Sequence, residues 1–268
     1  MEKFTSINGG FRLTITALVA ISVLAGCPFV RLGSTLRKGE VIYELTARRR
    51  SMSVVEADFK IRFPEGFLFA AGVEGHAAYE LSGDGPKLRL VAFGPMGVQV
   101  IDLLVKDGDF MVKAPGIEGP VGQEELRAIY GEGTITRAPA LLAKRPGLFF
   151  GGIPEGIDST WSWRHSRQGA WLGSPDGFSL LVSGKPPIIR RAVMFDKEAG
   201  EMSIDFGGWQ NDSKGPFPTK ATIKIDKKTL FHFKLIDLKT GTVLPPGVFV
   251  MKTACYYPPY KLLKIKTF

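Results

Sequence analysis

From Val54 the chain alternates: Val55, Ala57, Phe59, Ile61 and Phe63 are apolar, and Glu56, Asp58, Lys60 and Arg62 between them are charged. A period of two predicts a β-strand with one dry face and one wet face. Further strands are predicted over Gly75–Leu81, Lys87–Phe93, Val98–Val105 and Phe110–Ala114. They are separated by Gly83-Asp84-Gly85-Pro86, Gly94-Pro95-Met96-Gly97 and Asp107-Gly108-Asp109. These are turn chemistries, so an antiparallel meander is expected. After a break at Pro115–Gly122, a short helix over Gln123–Tyr130 and a weaker one over Ala138–Arg145 form a Gly- and Pro-rich insert. Strands resume near Ser159–Arg164, Ala170–Leu172, Phe178–Val182, Ile188–Phe195, Glu201–Phe206, Thr219–Ile225 and Leu230–Asp237.

Ahead of the strands, Leu36, Val41, Ile42 and Leu45 recur at near-helical spacing within Ser34–Arg50. Ser34 or Thr35 can cap this helix, and Arg48-Arg49-Arg50 suit its C-terminal dipole as a solvated end. Eleven or twelve short strands with few helices predict a mainly β, α+β fold built on one strongly curved sheet. Its apolar face is either a packed core or a lipid-sized cavity. The lining expected from strand phase is Phe59, Ile61, Leu88, Leu90, Val98, Val100, Ile204, Phe206 and Phe233.

Residues 1–26 read differently. Lys3 and Arg12 precede the uncharged run Leu13–Val23, too short to span a bilayer as a helix, which leads to Leu24-Ala25-Gly26-Cys27. Small residues before a cysteine resemble the bacterial lipobox, so 1–26 is expected to be a lipoprotein signal peptide and Cys27 the lipidated residue. A tether (27–33), one folded domain (34–250) and a basic aromatic tail (251–268) complete the expected organisation. The tail carries Tyr256, Tyr257 and Tyr260 with Lys261, Lys264 and Lys266. A multiply acylated cysteine, such as with palmitate, buries enough methylene groups for stable anchoring.

With 268 residues, 44% of them hydrophobic, the chain should fold around a core, and its net charge of +9 stays basic without residues 1–26. Only Cys27 and Cys255 are present, which excludes a disulfide framework and a multi-cysteine metal site. His76, His165 and His232 lie in separate segments without metal-type spacing, so no metal is expected. Gly184-Lys185 fails as a phosphate loop, because Ser179 stands in place of the first glycine and Pro186 where a magnesium-binding hydroxyl belongs. No nucleophile elbow occurs, Asp107 and Asp109 sit in a turn, and Glu124-Glu125 opens a helix. An enzyme is therefore not expected, nor a cofactor, nor a nucleic-acid partner.

The run Leu88 to Val100, strand, Gly94-Pro95-Met96-Gly97, strand, resembles the central hairpin of LolB-like outer-membrane lipoproteins of the LolA/LolB-like lipoprotein localisation family. Ser203 to Trp209, Phe217 to Ile223 and Phe231 to Leu235 look like that family's late strand with a Gly-Gly-aromatic turn, proline-opened strand and final strand. The resemblance implies an unclosed β-barrel of about eleven strands under a helical lid, whose cavity accepts acyl chains. It also implies a membrane-insertion loop, Phe93, Gly94, Pro95, Met96 and Gly97, with Met96 as the protruding apolar residue.

The expected function is thus a membrane-anchored lipoprotein that binds acyl chains or a lipidated protein and helps insert or transfer it at the outer membrane. The alternative is a structural or interaction lipoprotein of the envelope that uses the same fold without transfer. Expected partners are the membrane through the N-terminal lipid, a lipoprotein or acyl-chain ligand, and an envelope protein. Pro28, in place of the aspartate associated with inner-membrane retention, favours the outer membrane, facing the periplasm.

Overall fold

The computed structural model describes residues 36–64, 72–114, 119–130, 134–151, 155–196, 200–212 and 215–251. Cys27, the tether, Ser34, Thr35, Cys255 and the tail beyond residue 251 lie outside the described residues.

Among the described residues, twelve strands make one antiparallel sheet. They are β1 (Val54–Arg62), β2 (Val73–Ser82), β3 (Gly85–Phe93), β4 (Gln99–Lys106), β5 (Asp109–Lys113), β6 (Ser162–Ser166), β7 (Gly169–Gly173), β8 (Phe178–Ser183), β9 (Ile188–Asp196), β10 (Gly200–Asp212), β11 (Gly215–Ile225) and β12 (Lys228–Thr240). The spatial order is β5-β4-β3-β2-β1-β12-β11-β10-β9-β8-β7-β6. Two meanders therefore meet at a central seam where β1 pairs with β12, Ile61 opposite Phe233.

The edge strands β5 and β6 do not pair, so the barrel is unclosed. One hydrophobic cluster nevertheless joins residues from both halves, Val112 of β5 and Leu172 of β7 among them, which requires a strongly curved sheet. Because β5 and β6 follow each other in sequence, their connection must cross from one edge to the other. It does so through α2 (Gln123–Tyr130), α3 (Thr134–Lys144) and a 3-10 turn, Pro146–Phe150.

Helix α1 (Lys38–Ser51) buries Val41, Leu45 and Arg48. That spacing is one stripe of a helix. Arg37 occupies its N-cap position and makes no side-chain cap. The solvated arginine end needs correction at one residue: Arg48 is buried, and its Nη2 donates to the Pro187 carbonyl at 2.9 Å. Its position on the buried stripe, three residues after Leu45, explains this.

Helix α3 begins at Thr134, earlier than its sequence pattern suggests, and holds Pro139 inside. Strands β10 and β11 also run longer than expected, because Gly207-Gly208-Trp209 continues β10 and is not a turn. Gly208, at φ 62°, interrupts the pairing with β11 at one position, and the ladder resumes in register at Trp209 opposite Pro218. Pro216 and Pro218 are tolerated in β11 because β12 pairs with it only from Lys220 onward.

Candidate functional site: the concave face and two proline-led turns

Eight of the nine expected lining residues share the buried apolar cluster: Phe59, Ile61, Leu88, Leu90, Val100, Ile204, Phe206 and Phe233. Strand phase puts them there, and close contacts refine it. Phe59 lies opposite Gly75, where an added Cβ would come within 2.5 Å of the Phe59 ring. The glycine makes room for the ring.

Val98 is the exception and is a correction, since it is 56% exposed. Ala92 pairs with Ile101 but Phe93 pairs with Gln99, leaving Val100 as an extra residue in β4. This bulge reverses the alternation. Ile101, Leu103 and Val105 therefore oppose the inward residues of β3, and Val98 falls in the turn.

The space over the concave face is occupied by the 3-10 turn Pro146–Phe150, all five residues of which are buried. Phe149 stacks edge-on to Phe59 at 5.7 Å and to Phe233 at 4.1 Å, and Phe150 approaches Tyr79 at 6.0 Å. This hook is fastened at its base. Arg145 Nη1 donates to the Glu155 carbonyl at 2.6 Å, and Nη2 to Asp176 at 2.6 Å. Burial pushes the Asp176 carboxyl up, but hydrogen bonds from Ser174 and Arg145 and the Arg145 charge outweigh it and hold the group below its ordinary value. Tyr79 donates to Glu155 at 2.7 Å, and burial, with the Glu155 charge, pushes its hydroxyl far up. It stays a neutral donor.

The β3–β4 turn has the opposite environment. Gly94 N–H donates to the Val98 carbonyl at 2.8 Å, and Pro95–Gly97 form a short 3-10 turn. Met96 sits at its tip, 97% exposed, in the left-handed region at φ 63°. That conformation costs a non-glycine residue about 1–2 kcal/mol. Gly97 follows at φ 73°. Of the five loop residues, Phe93 and Gly94 are partly buried while Pro95, Met96 and Gly97 are exposed.

Two groupings had no spacing signal in the sequence. His76 of β2 lies 3.0 Å from both Glu56 and Asp58 of β1 on the convex face. Arg89 and Asp102 form a buried bidentate pair at 2.9 and 2.7 Å, and Arg89 Nη1 also donates to the carbonyls of Val248 and Val250. Each is the lone charge in an apolar run, Leu88 to Phe93 and Val100 to Val105, which is the signal available for them. His165 meets Trp163 and His232 meets Thr222, so the three histidines are not brought together. Among the described residues no group of three or more His, Cys, Asp or Glu is arranged to hold a metal. No helix among them is long and apolar enough to cross a membrane.

A groove of about 610 Å³ lies at the β4–β5 edge, lined by Phe110, Met111, Arg127, Ala140 and Lys144 among others, and a second of about 520 Å³ lies under residues 242–250. Neither is lined by the nine expected residues.

The structure thus defines a half-barrel with an apolar concave face, a buried hook and an exposed apolar turn. No protein-family model matches the chain, and no curated protein matches it. Solved structures similar to it include a DUF1329 family protein from Desulfovibrio piger, with 10% identity, a TM-score of 0.48 and coverage of 78% of this chain and 96% of that one. A LolA superfamily protein from Nitrosomonas europaea has 13% identity, a TM-score of 0.46 and coverage of 81% and 99%. Mycobacterium tuberculosis lipoprotein LppX has 10% identity, a TM-score of 0.29 and coverage of 76% and 97%.

Proposed function

We propose that the protein is an envelope lipoprotein, anchored through Cys27 at the outer membrane, whose concave face accepts acyl chains when the hook withdraws. The observation that carries this reading is the make-up of the cover. The apolar face is continuous across the sheet; Val41 and Leu45 of α1, Leu126 of α2 and Leu142 of α3 join its cluster, but the part that packs on the Phe59 and Phe233 rings is the five-residue turn Pro146–Phe150. Bonds at the turn's two ends run from Leu148 N–H to the Arg145 carbonyl and from Gly151 N–H to the Leu148 carbonyl. Withdrawal of the turn would uncover aromatic and aliphatic side chains suited to a lipid tail. Met96, exposed at the end of a neighbouring hairpin, would then dip into the bilayer to release the chain.

Native mass spectrometry of detergent-free protein tests the cavity: bound fatty-acid or lipoprotein mass is expected, and protein free of lipid after challenge with a fatty acid would refute it. Fatty-acid labelling tests the anchor. Wild type should be marked and Cys27→Ser should not; equal labelling would defeat the lipobox reading. A second reading has its own support, since Leu148, Phe149 and Phe150 fill the interior as core residues do. On that reading the protein is an interaction lipoprotein of the envelope that takes no lipid.

A further inference from the structure

On the convex side, Lys220 of β11 is directly opposite Lys234 of β12, and Lys234 is directly opposite Lys60 of β1. Their neighbours Ala221, Phe233 and Ile61 point into the core, so the three lysines share the outer face. Like charges directly opposite each other destabilise a sheet. Only Lys60 is neutralised, by Glu74 of β2; among the described residues Lys220 and Lys234 make no ion pair.

Lysines on edge strands guard against aggregation, but β1, β12 and β11 lie at the middle of the sheet. Protection of an edge in the finished sheet does not explain them, and Lys220 and Lys234 lie on strands that meet as sequence neighbours. The facing pair Lys220 and Lys234, on strands adjacent in sequence, is a local rule broken without a folding benefit, which is where function is expected.

Its placement is informative. Glu74 is itself paired with Phe93, the residue that leads into the Met96 turn, so the row ends at that turn's end of the sheet. Arg62, one step nearer the same end on β1, adds a fourth exposed cation. The acids Glu56, Asp58 and Asp237 lie farther from that end on the same strands. Along β1 charge is therefore segregated, Lys60 and Arg62 toward Met96 and Glu56 and Asp58 away from it, while the far end of β12 carries Lys239 paired with Asp237.

We infer that Lys220, Lys234, Lys60 and Arg62 form a docking face for an anionic phospholipid bilayer, set to meet headgroups when Met96 reaches the acyl layer. A membrane is favoured over nucleic acid because the exposed apolar residues Met96 and Val98 share this end, and phosphate-backbone binding has no use for them. The inference rests on the proposed membrane contact of the Met96 turn, not on what fills the concave face.

The test uses a chain beginning at Pro28, which keeps every described element and lacks the acyl anchor. It is sedimented at low ionic strength with vesicles of phosphatidylcholine alone, or with a minor share of phosphatidylglycerol. Each cation near such a surface is worth about fivefold in partitioning. Lys220→Gln should weaken binding to the anionic vesicles about fivefold and Lys234→Glu about 25-fold, with binding to neutral vesicles unchanged and added salt removing the difference. The melting temperature of Lys234→Glu should hold or rise, because glutamate there faces two lysines. Unchanged partitioning of both variants onto anionic vesicles would overturn the inference. Tighter binding to a short duplex DNA, lost in Lys234→Glu, would overturn it in favour of nucleic acid. Bound lipid mass is read separately, so the docking face and the acyl site can fail independently.

Discussion

The two proline-led turns, Pro95-Met96-Gly97 and Pro146 to Gly151, are close in local chemistry and opposite in surroundings. Both hold apolar side chains between a proline and a glycine in a 3-10 turn. Met96 is almost wholly in solvent, whereas Leu148, Phe149 and Phe150 are almost wholly out of it. The backbone signals of the two segments predict a turn and no more. Topology decides the rest: the first turn joins neighbouring strands at one end of a hairpin, and the second lies on the connection between the two sheet edges, over the concave side. An exposed apolar turn and a buried apolar turn can thus be written with the same few residue types.

The comparison breaks most sharply at Phe149. Phe149→Ala should cost about 3–5 kcal/mol in urea unfolding, since it deletes a ring packed against Phe59 and Phe233. The same variant separates the two functional readings: a fluorescent fatty acid should bind more tightly if the hook is a displaceable plug, and no better if it is permanent core.

Acid should loosen the base of the hook next. Asp176 is held low by Ser174 and Arg145, and Asp205 is held low by Arg191 and Lys224 although burial pushes it up. Carboxylates depressed in the folded state contribute stability above the ordinary value of about 3.9 and lose it as the pH falls through their folded values. Unfolding free energy should therefore decline from about pH 4 downward. Asp176 is largely exposed, so its part is at most about 1 kcal/mol. Asp176→Asn should flatten part of that decline.

At the other turn the expected changes are small and of opposite kinds. Met96→Gly removes the left-handed penalty but loosens the unfolded chain, a net gain of a few tenths to about 1 kcal/mol. Met96→Asp should leave stability within about 0.5 kcal/mol, because the site is exposed. Delivery of a lipidated substrate to liposomes should fall in Met96→Asp, as its carboxylate would have to enter the acyl layer, while Met96→Leu should deliver as well as wild type. A large drop in melting temperature for Met96→Asp would mean that the side chain is core.

Much of the fold was legible because alternation is a direct record of burial on a curved sheet. Phe59 and Ile61, or Ile204 and Phe206, could be assigned to one face from period alone. Val98 could not, since it shares the parity of the buried Val100 but falls in the turn before β4 begins at Gln99, and the start of a strand leaves no compositional mark. Gly207-Gly208-Trp209 resembled a turn for the converse reason: glycine permits both a turn and a kinked strand, and only the partner strand decides. Pro146-Gly147-Leu148-Phe149-Phe150-Gly151 held a visible apolar run, but its burial depends on contacts with strands distant in sequence. The lysine row was hidden in the same way, since Lys60, Lys220 and Lys234 become neighbours only once β1, β12 and β11 are in register.

The seam between β1 and β12 sets the order in which the molecule can be completed. Chains generally fold from the N-terminal part first, and each meander can zip hairpin by hairpin from local turns, whereas Val54–Arg62 must wait for Lys228–Thr240 before its second side is covered. Until then a nine-residue strand presents bare backbone to any passing strand. Glu56, Asp58, Lys60 and Arg62 along it are the charges that guard such an exposed edge. The strand at the middle of the finished sheet is, during synthesis, an edge strand, and it carries the protection of one.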